Sequence, residues 1–236
     1  MGLVIVAALA FDFANGFHDT ANAMATSIAT DALKSKTAVA LAGVMNLVGA
    51  FLSTEVAKTI SGGIINEQQV AIGAEFILAG LIDAIVWSLI TWLVGLSSSS
   101  FHALMGGLVG AVIVGAGVEG VDFLVVIQKT LIPEFVSHLV AELAAWLAVK
   151  LVFRIVRGME DSRVTEGFGH GQTVTACLVA LSHGTNDAQK TMCIITLIAA
   201  GIQLSGSGLE FWVVAACGVT VALGTYMDGW RVIRTL

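Results

Sequence analysis

Two short polar stretches interrupt an apolar chain, and their residue types define the chemistry to look for. The first reads Asp12, Asn15, Gly16, His18, Asp19, Thr20 and Asn22; the second reads Ser182, His183, Gly184, Thr185, Asn186, Asp187, Gln189 and Lys190. Asp19 lies three residues before Asn22 and four after Asn15, so a helix places all three on one face. Carboxylate and amide oxygens grouped in this way suit a small, hard cation. In the second stretch Asn186 and Asp187 follow a glycine, which predicts an unwound turn whose carbonyls and side chains hold a cation. Lys190, three residues past Asp187, either neutralises that carboxylate or approaches an anion. A third stretch, Ser97-Ser98-Ser99-Ser100-Phe101-His102, leads into an apolar run containing Gly106, Gly107 and Gly110. Hydroxyls at the start of a helix add O–H donors to the free backbone N–H groups of its first turn, an arrangement that binds oxyanions. Plainer readings stand beside these: a hydrogen-bond cluster that joins helices, a local Asp187–Lys190 ion pair, and a capped surface loop.

The elements that must position these residues are set by composition. Of 236 residues, 57% are hydrophobic and 12% charged, with a mean hydropathy of +0.92. A soluble domain carries about 25% charged residues. A chain this apolar finds too little polar surface to cover itself in water, and a bilayer resolves the mismatch. Its 26 glycines fit membrane helices that approach closely through small residues. The net charge of −6 forms no basic patch, which argues against nucleic acid. Cys177, Cys193 and Cys217 sit in apolar stretches without metal-ligand spacing and read as small buried residues. The N-terminus lacks the positive n-region of a removable signal peptide.

A spanning helix needs about 20 apolar residues. Candidates are Leu3–Thr30, Thr37–Ile60, Ala71–Leu96, Ala103–Val118, Phe123–Val156, Thr173–Ile202 and Glu210–Tyr226. The fourth is short, and Pro133 predicts a division or an entry point in the fifth. Basic residues prefer cytoplasmic loops. Lys34 and Lys36 follow the first segment, Arg154, Arg157 and Arg163 precede the sixth, and Arg231 and Arg234 follow the seventh. The first and sixth segments then cross in opposite directions. Placing Gly16 on Gly184 sets His18 on Asn186, Asp19 on Asp187 and Met24 on Met192. Matching motifs on oppositely directed helices are the mark of an inverted repeat. Among the remaining charges, Glu55 and Lys58 read as a local pair, and Glu75 and Asp83 lie on the third segment. His138 and Glu142 share a face, with Glu142 either joining the cation site or packing. Glu160–Glu166 reads as a solvated loop.

The expected fold is therefore an all-α polytopic integral membrane protein of the inverted-repeat transporter type, with broken helices and a re-entrant helical hairpin. Residues 1–157 form the first repeat, 158–170 a cytoplasmic loop, and 171–236 the start of a second repeat. The Ser97–His102 element lies well downstream of the first motif, so equal repeats place its counterpart at roughly position 270. The second repeat thus reads as unfinished, through C-terminal truncation or, less simply, with a second copy or partner supplying the missing half.

Asn15-Gly16-Phe17-His18-Asp19-Thr20-Ala21-Asn22-Ala23 and Ser182-His183-Gly184-Thr185-Asn186-Asp187-Ala188-Gln189-Lys190 resemble the paired signatures of the inorganic phosphate transporter (PiT) family. Gly95–Gly110 resembles that family's hydroxyl-rich hairpin, and Gly229-Trp230-Arg231-Val232-Ile233-Arg234 resembles the segment after its second motif. The resemblance runs in order along the whole chain. It implies symport of phosphate, alone or as a metal–phosphate complex, with Na⁺ or H⁺. The anion would bind between two hairpins near the midplane of a bacterial or archaeal plasma membrane. It implies cation ligands at Asp19, Asn22, Asn186 and Asp187 (Na⁺ ligands if sodium is the coupling ion), with Asn15 and Glu142 as further candidates. Ser98, Ser99 and Ser100 become phosphate donors, joined by Ser97, His102, Thr20, Thr185 and Lys190. It leaves a homodimer open and calls for no cofactor. Two positions depart from the family pattern: members usually carry proline where Ser97 stands and a hydroxyl residue where Phe101 stands, and Phe101 has no donor for an anion.

Two other classes bear on the same residues. A passive channel or a phosphate-binding membrane receptor uses the same anion site without accumulating its ligand. An enzyme needs a nucleophile–base pair or a metal cluster. Neighbours such as His18 and Asp19 point in different directions on a helix, and His183 near Asp187 is the other candidate, so no catalytic residue is expected.

Overall fold

The computed structural model describes residues 2–52, 73–159, 161–201 and 211–233; side chains at 17, 19, 161–163, 166, 197–201 and 228–233 fall outside the described ones. The described residues are almost wholly helical: α1 (Gly2–Ala29), α2 (Ser35–Leu52), α3 (Ala74–Val94), α4 (Ser100–Ala116), the short α5 (Phe123–Val126), α6 (Ile132–Val156), α7 (Asp161–Gly201) and α8 (Phe211–Ile233). The expected all-α membrane fold is the observed one. Among the described residues, α1, α2 and α3 are long and apolar enough to cross a bilayer, and α4 and Phe211–Met227 are shorter apolar helices. The expected spans in α6 and α7 each carry polar residues. Glu134, His138, Glu142, Lys150 and Arg154 dilute the first, and the second carries the polar motif. Glu55 and Lys58 lie outside the described residues.

Helices α1, α2, α7 and α8 pack together, and their directions follow from the contacts. Asp12 meets Thr191 while Thr30 meets Gln172, so α1 and α7 run antiparallel. Gly43 meets Ala222 while Gly218 meets Ala50, so α2 and α8 are antiparallel too. That agrees with the opposite directions read from the basic flanks.

Glycine makes these crossings possible. A Cβ on Gly16 would fall 2.6 Å from the Val221 carbonyl oxygen. One on Gly184 would collide with the Asn46 backbone, one on Gly224 with the Phe13 carbonyl, and one on Gly49 with the Leu181 carbonyl. These contacts are reciprocal. A shift of 168 residues carries Gly16 to Gly184 and Phe13 to Leu181, and a shift of 175 carries Asn46 to Val221 and Gly49 to Gly224. The α1–α8 crossing is thus repeated by the α7–α2 crossing. Where apolar solvent supplies no drive between helices, such close backbone contact is a main source of cohesion.

The expected unwound turn at Asn186 and Asp187 is not observed: α7 is helical throughout the second motif. Gly184 serves approach to α2 rather than chain reversal. The stretch expected as a loop before it is also helical from Asp161 onward. Among the described residues of the connection, 157–159 are non-helical, with Gly158 at φ +89°, and the Thr30–Gln172 hydrogen bond of 2.8 Å ties the early part of α7 to the end of α1.

Irregular backbone lies elsewhere. Gly95 closes α3 in the left-handed region at φ 75°, residues 96–99 are non-helical, and Ser99 caps α4. This is the expected hairpin. A Cβ on Gly107 would sit 2.7 Å from the Gly80 carbonyl, so α3 and α4 also meet through glycine. The division expected near Pro133 occurs as a π-helical stretch, Ile127–Leu131. Proline offers no N–H and its ring crowds the carbonyl four residues back, at Lys129, which favours a widened turn.

Gly16→Ala and Gly184→Ala are each expected to destabilise the complete protein by about 3 kcal/mol, because backbone on the facing helix cannot yield to a methyl group. Gly106→Ala, where a Cβ meets nothing within 4 Å, serves as the control. Thermal unfolding in detergent reads the comparison, and equal melting temperatures for all three variants would contradict it.

Candidate functional site

The hairpin tip is fastened to α1 by its own hydroxyls. Ser97 Oγ donates to Asn22 Oδ1 at 3.1 Å, and Ser100 Oγ donates to Asn15 Oδ1. His18 Nε2 lies 3.1 Å from the Ser88 carbonyl on α3. Asn15, His18 and Asn22 are spaced three and four apart, so one stripe of α1 meets the hairpin at three successive levels. Ser98 completes the attachment from within, 2.9 Å from Thr91 Oγ1.

On the opposite side stands α7. Lys190 Nζ pairs with Asp187 Oδ1, and His183 Nδ1 lies 3.4 Å from Asp187 Oδ2. Lys190 is also 5.5 Å from the centre of the Phe101 ring, within the range of a cation–π contact. Phe101, which has no donor for an anion, thus offers its ring to the lysine. The Asp187 and Lys190 side chains are 7% and 14% exposed, so their charges face each other rather than open solvent.

Between these surfaces is a cavity of about 320 Å³ lined by Asn22, Ser97, Ser98, Ser99, Ser100, His183, Asp187 and Lys190. It gathers residues from both motifs and the hairpin into one place. One acidic and one basic group offset each other, four hydroxyls line one wall, and the first-turn amides of α4 open from that wall. Lys190 and the first-turn amides of α4 are donors suited to an oxyanion, and Asn22 and Asp187 offer an oxygen pair to a cation.

Several expected residues lie outside this cavity. Asn186 is exposed and absent from the lining. Asn15 is buried and engaged with Ser100. Thr20 donates to Gly16 and Thr225 carbonyls, and Thr185 donates to Leu181 of its own helix. Glu142 is exposed on α6, a helix with no buried residue. His102 faces Ser99 and Glu134 beside the cavity. The Asp19 side chain falls outside the described ones. No group of three or more His, Cys, Asp or Glu able to hold a metal occurs among the described residues.

Three further participants carried no readable signal. Thr91 and Ser88 lie on an apolar helix whose contact with the hairpin depends on the turn at Gly95. Glu134 stands 32 positions from His102 in the chain. Asp12 was visible within the first motif, yet its burial at 0% exposure and its 2.8 Å hydrogen bond from Thr191 follow from the antiparallel packing of α1 and α7.

The model of the phosphate transporter family matches residues 15–236. The chain belongs to this family. It is 51% identical over 99% of its length to a probable low-affinity inorganic phosphate transporter of Mycobacterium bovis, of which it covers 56%. It is 43% identical over 99% of its length to the Bacillus subtilis protein of the same description, covering 71% of it. The chain thus spans a little over half the length of the mycobacterial relative. A solved structure described as the sodium-dependent phosphate transporter superposes with a TM-score of 0.74 at 21% identity, over 99% of this chain and 76% of the other. At that identity the likeness concerns the fold. Family members are transporters, which agrees with the absence of an expected catalytic residue.

The docking of the hairpin on α1 is testable by cross-linking. In a background lacking Cys177, Cys193 and Cys217, Asn22→Cys combined with Ser97→Cys is expected to form a disulfide under mild oxidation. Asn186→Cys combined with Ser97→Cys is expected to form none. Equal cross-linking of the two pairs, read by gel mobility, would place the hairpin tip elsewhere.

Proposed function

We propose that the complete protein is a secondary transporter that carries inorganic phosphate across the plasma membrane together with a cation, Na⁺ or H⁺. The observation that carries this reading is the cavity shared by the hairpin hydroxyls and the two motif helices. Family membership supports the substrate, and the description of the structural relative as sodium-dependent favours Na⁺ as the first cation to test.

The ion pair suggests how the two ligands cooperate. Lys190 is engaged with Asp187, so neither charge is fully available. A cation arriving beside Asp187 and Asn22 would compete for the carboxylate and release Lys190 toward the anion. The anion would then find the lysine, the Ser98 and Ser99 oxygens and the α4 amides on one side. Each ligand lowers the electrostatic cost of the other, which is a coupling free energy between two sites. Residues 1–157 and 171–236 would act as paired repeats, a division supported by the reciprocal glycine crossings.

Uptake of radiolabelled phosphate by proteoliposomes holding the complete protein tests this. Accumulation driven by an imposed Na⁺ or H⁺ gradient is expected, and Asp187→Asn is expected to abolish the gradient dependence while leaving membrane insertion intact. Equilibration without accumulation would identify a passive channel. Gradient-driven uptake unchanged in Asp187→Asn would remove that carboxylate from coupling.

A further inference from the structure

Beside the cavity three partly exposed side chains form a chain of hydrogen bonds. Ser99 Oγ lies 2.7 Å from His102 Nδ1, and His102 Nε2 lies 2.9 Å from Glu134 Oε2. An ionised carboxylate only accepts, so a neutral His102 must carry its hydrogen on Nε2. Nδ1 is then bare and can only accept. Ser99 therefore donates its single proton to His102, away from the cavity. One acceptor position on the Ser99 oxygen faces the His102 backbone N–H at 3.4 Å. The other is left for the cavity that Ser99 lines.

The neighbouring hydroxyls are committed in a similar way, Ser97 to Asn22 and Ser100 to Asn15. This part of the wall presents lone pairs rather than protons. Charged groups face the chain of hydrogen bonds from two sides. Glu134 on α6 touches His102 directly, and the Asp187–Lys190 pair on α7 stands across the cavity. Lys190 lies over Phe101, whose ring packs edge-on against His102 at 5.8 Å.

We propose that Glu134, acting through His102, is a positioning residue that holds Ser99 as a hydrogen-bond acceptor, so that the site selects oxyanions that still carry an O–H. The proposal rests on the reading of the cavity as the anion site. Phosphate and arsenate keep a protonated oxygen near neutral pH and can donate to Ser99. Sulfate has none, and its oxygen would meet the Ser99 lone pair. An acceptor facing another acceptor forfeits a hydrogen bond and adds repulsion, which is how hydrogen-bonding sites reject close analogues.

The test is competition by sulfate against radiolabelled phosphate uptake, using the complete protein in proteoliposomes. Glu134→Gln can donate an amide N–H to Nε2, which moves the imidazole hydrogen to Nδ1 and turns the Ser99 proton toward the cavity. His102→Asn frees that proton by removing the imidazole. Both variants are expected to lower the ratio of the sulfate inhibition constant to the phosphate KM by about tenfold, the worth of one well-placed hydrogen bond. Glu134→Asp, which keeps the carboxylate, is expected to retain the wild-type ratio. An unchanged ratio in both Glu134→Gln and His102→Asn, with only kcat or KM altered, would reduce Glu134 to a tether between α6 and the hairpin. That outcome, with wild-type phosphate uptake intact, overturns this proposal alone. Absence of phosphate uptake in the wild type would overturn the anion-site reading and this proposal with it.

Discussion

Close backbone contact at glycine is the constraint on which the rest depends. Gly16 and Gly184 each sit where a polar motif meets a partner helix, and each crossing leaves no room for a side chain. These contacts fix where α1 and α7 stand and which faces they present. Both motif faces then turn toward the same hairpin tip. Were either crossing to widen, the Ser97–Asn22 and Lys190–Phe101 distances would grow together, because the hairpin is attached to one helix and faced by the other.

The polar interior follows from that geometry. Asp12, Asn15, His18 and Asn46 are all buried, in a fold whose apolar surroundings penalise unpaired polar groups. Thr191, Ser100, the Ser88 carbonyl and Thr225 supply partners to these four in turn. Each partner comes from a different helix or from the hairpin, so the polar groups record how the helices are assembled. The cavity is the place where the polar faces of both motifs and the hairpin meet.

Much of this was legible in the residues. Apolar composition and 20-residue spans announced membrane helices, the paired motifs announced related helices, and the serine run before Phe101 announced a capped helix start. The unwound turn at Asn186 was not observed, because Gly184 can serve either chain reversal or close approach and sequence does not distinguish them. Asn15 read as a cation ligand, but its oxygen accepts from Ser100, a pairing across 85 residues set only by docking of the hairpin. The role of Glu134 was hidden for the same reason. Its neighbour Pro133 signalled a helix irregularity, but nothing local signalled contact with His102.

We propose that the cavity between the hairpin and the Asp187–Lys190 pair is one anion site. Ligand protection at Ser98 tests this, since Ser98 lines the cavity and, among the described residues, hydrogen-bonds with Thr91. In the complete protein with Ser98→Cys as its only thiol, phosphate is expected to slow modification by a small water-soluble thiol reagent, saturating at the concentration that half-saturates transport. A modification rate indifferent to phosphate, in a protein that still transports it, would place the anion elsewhere.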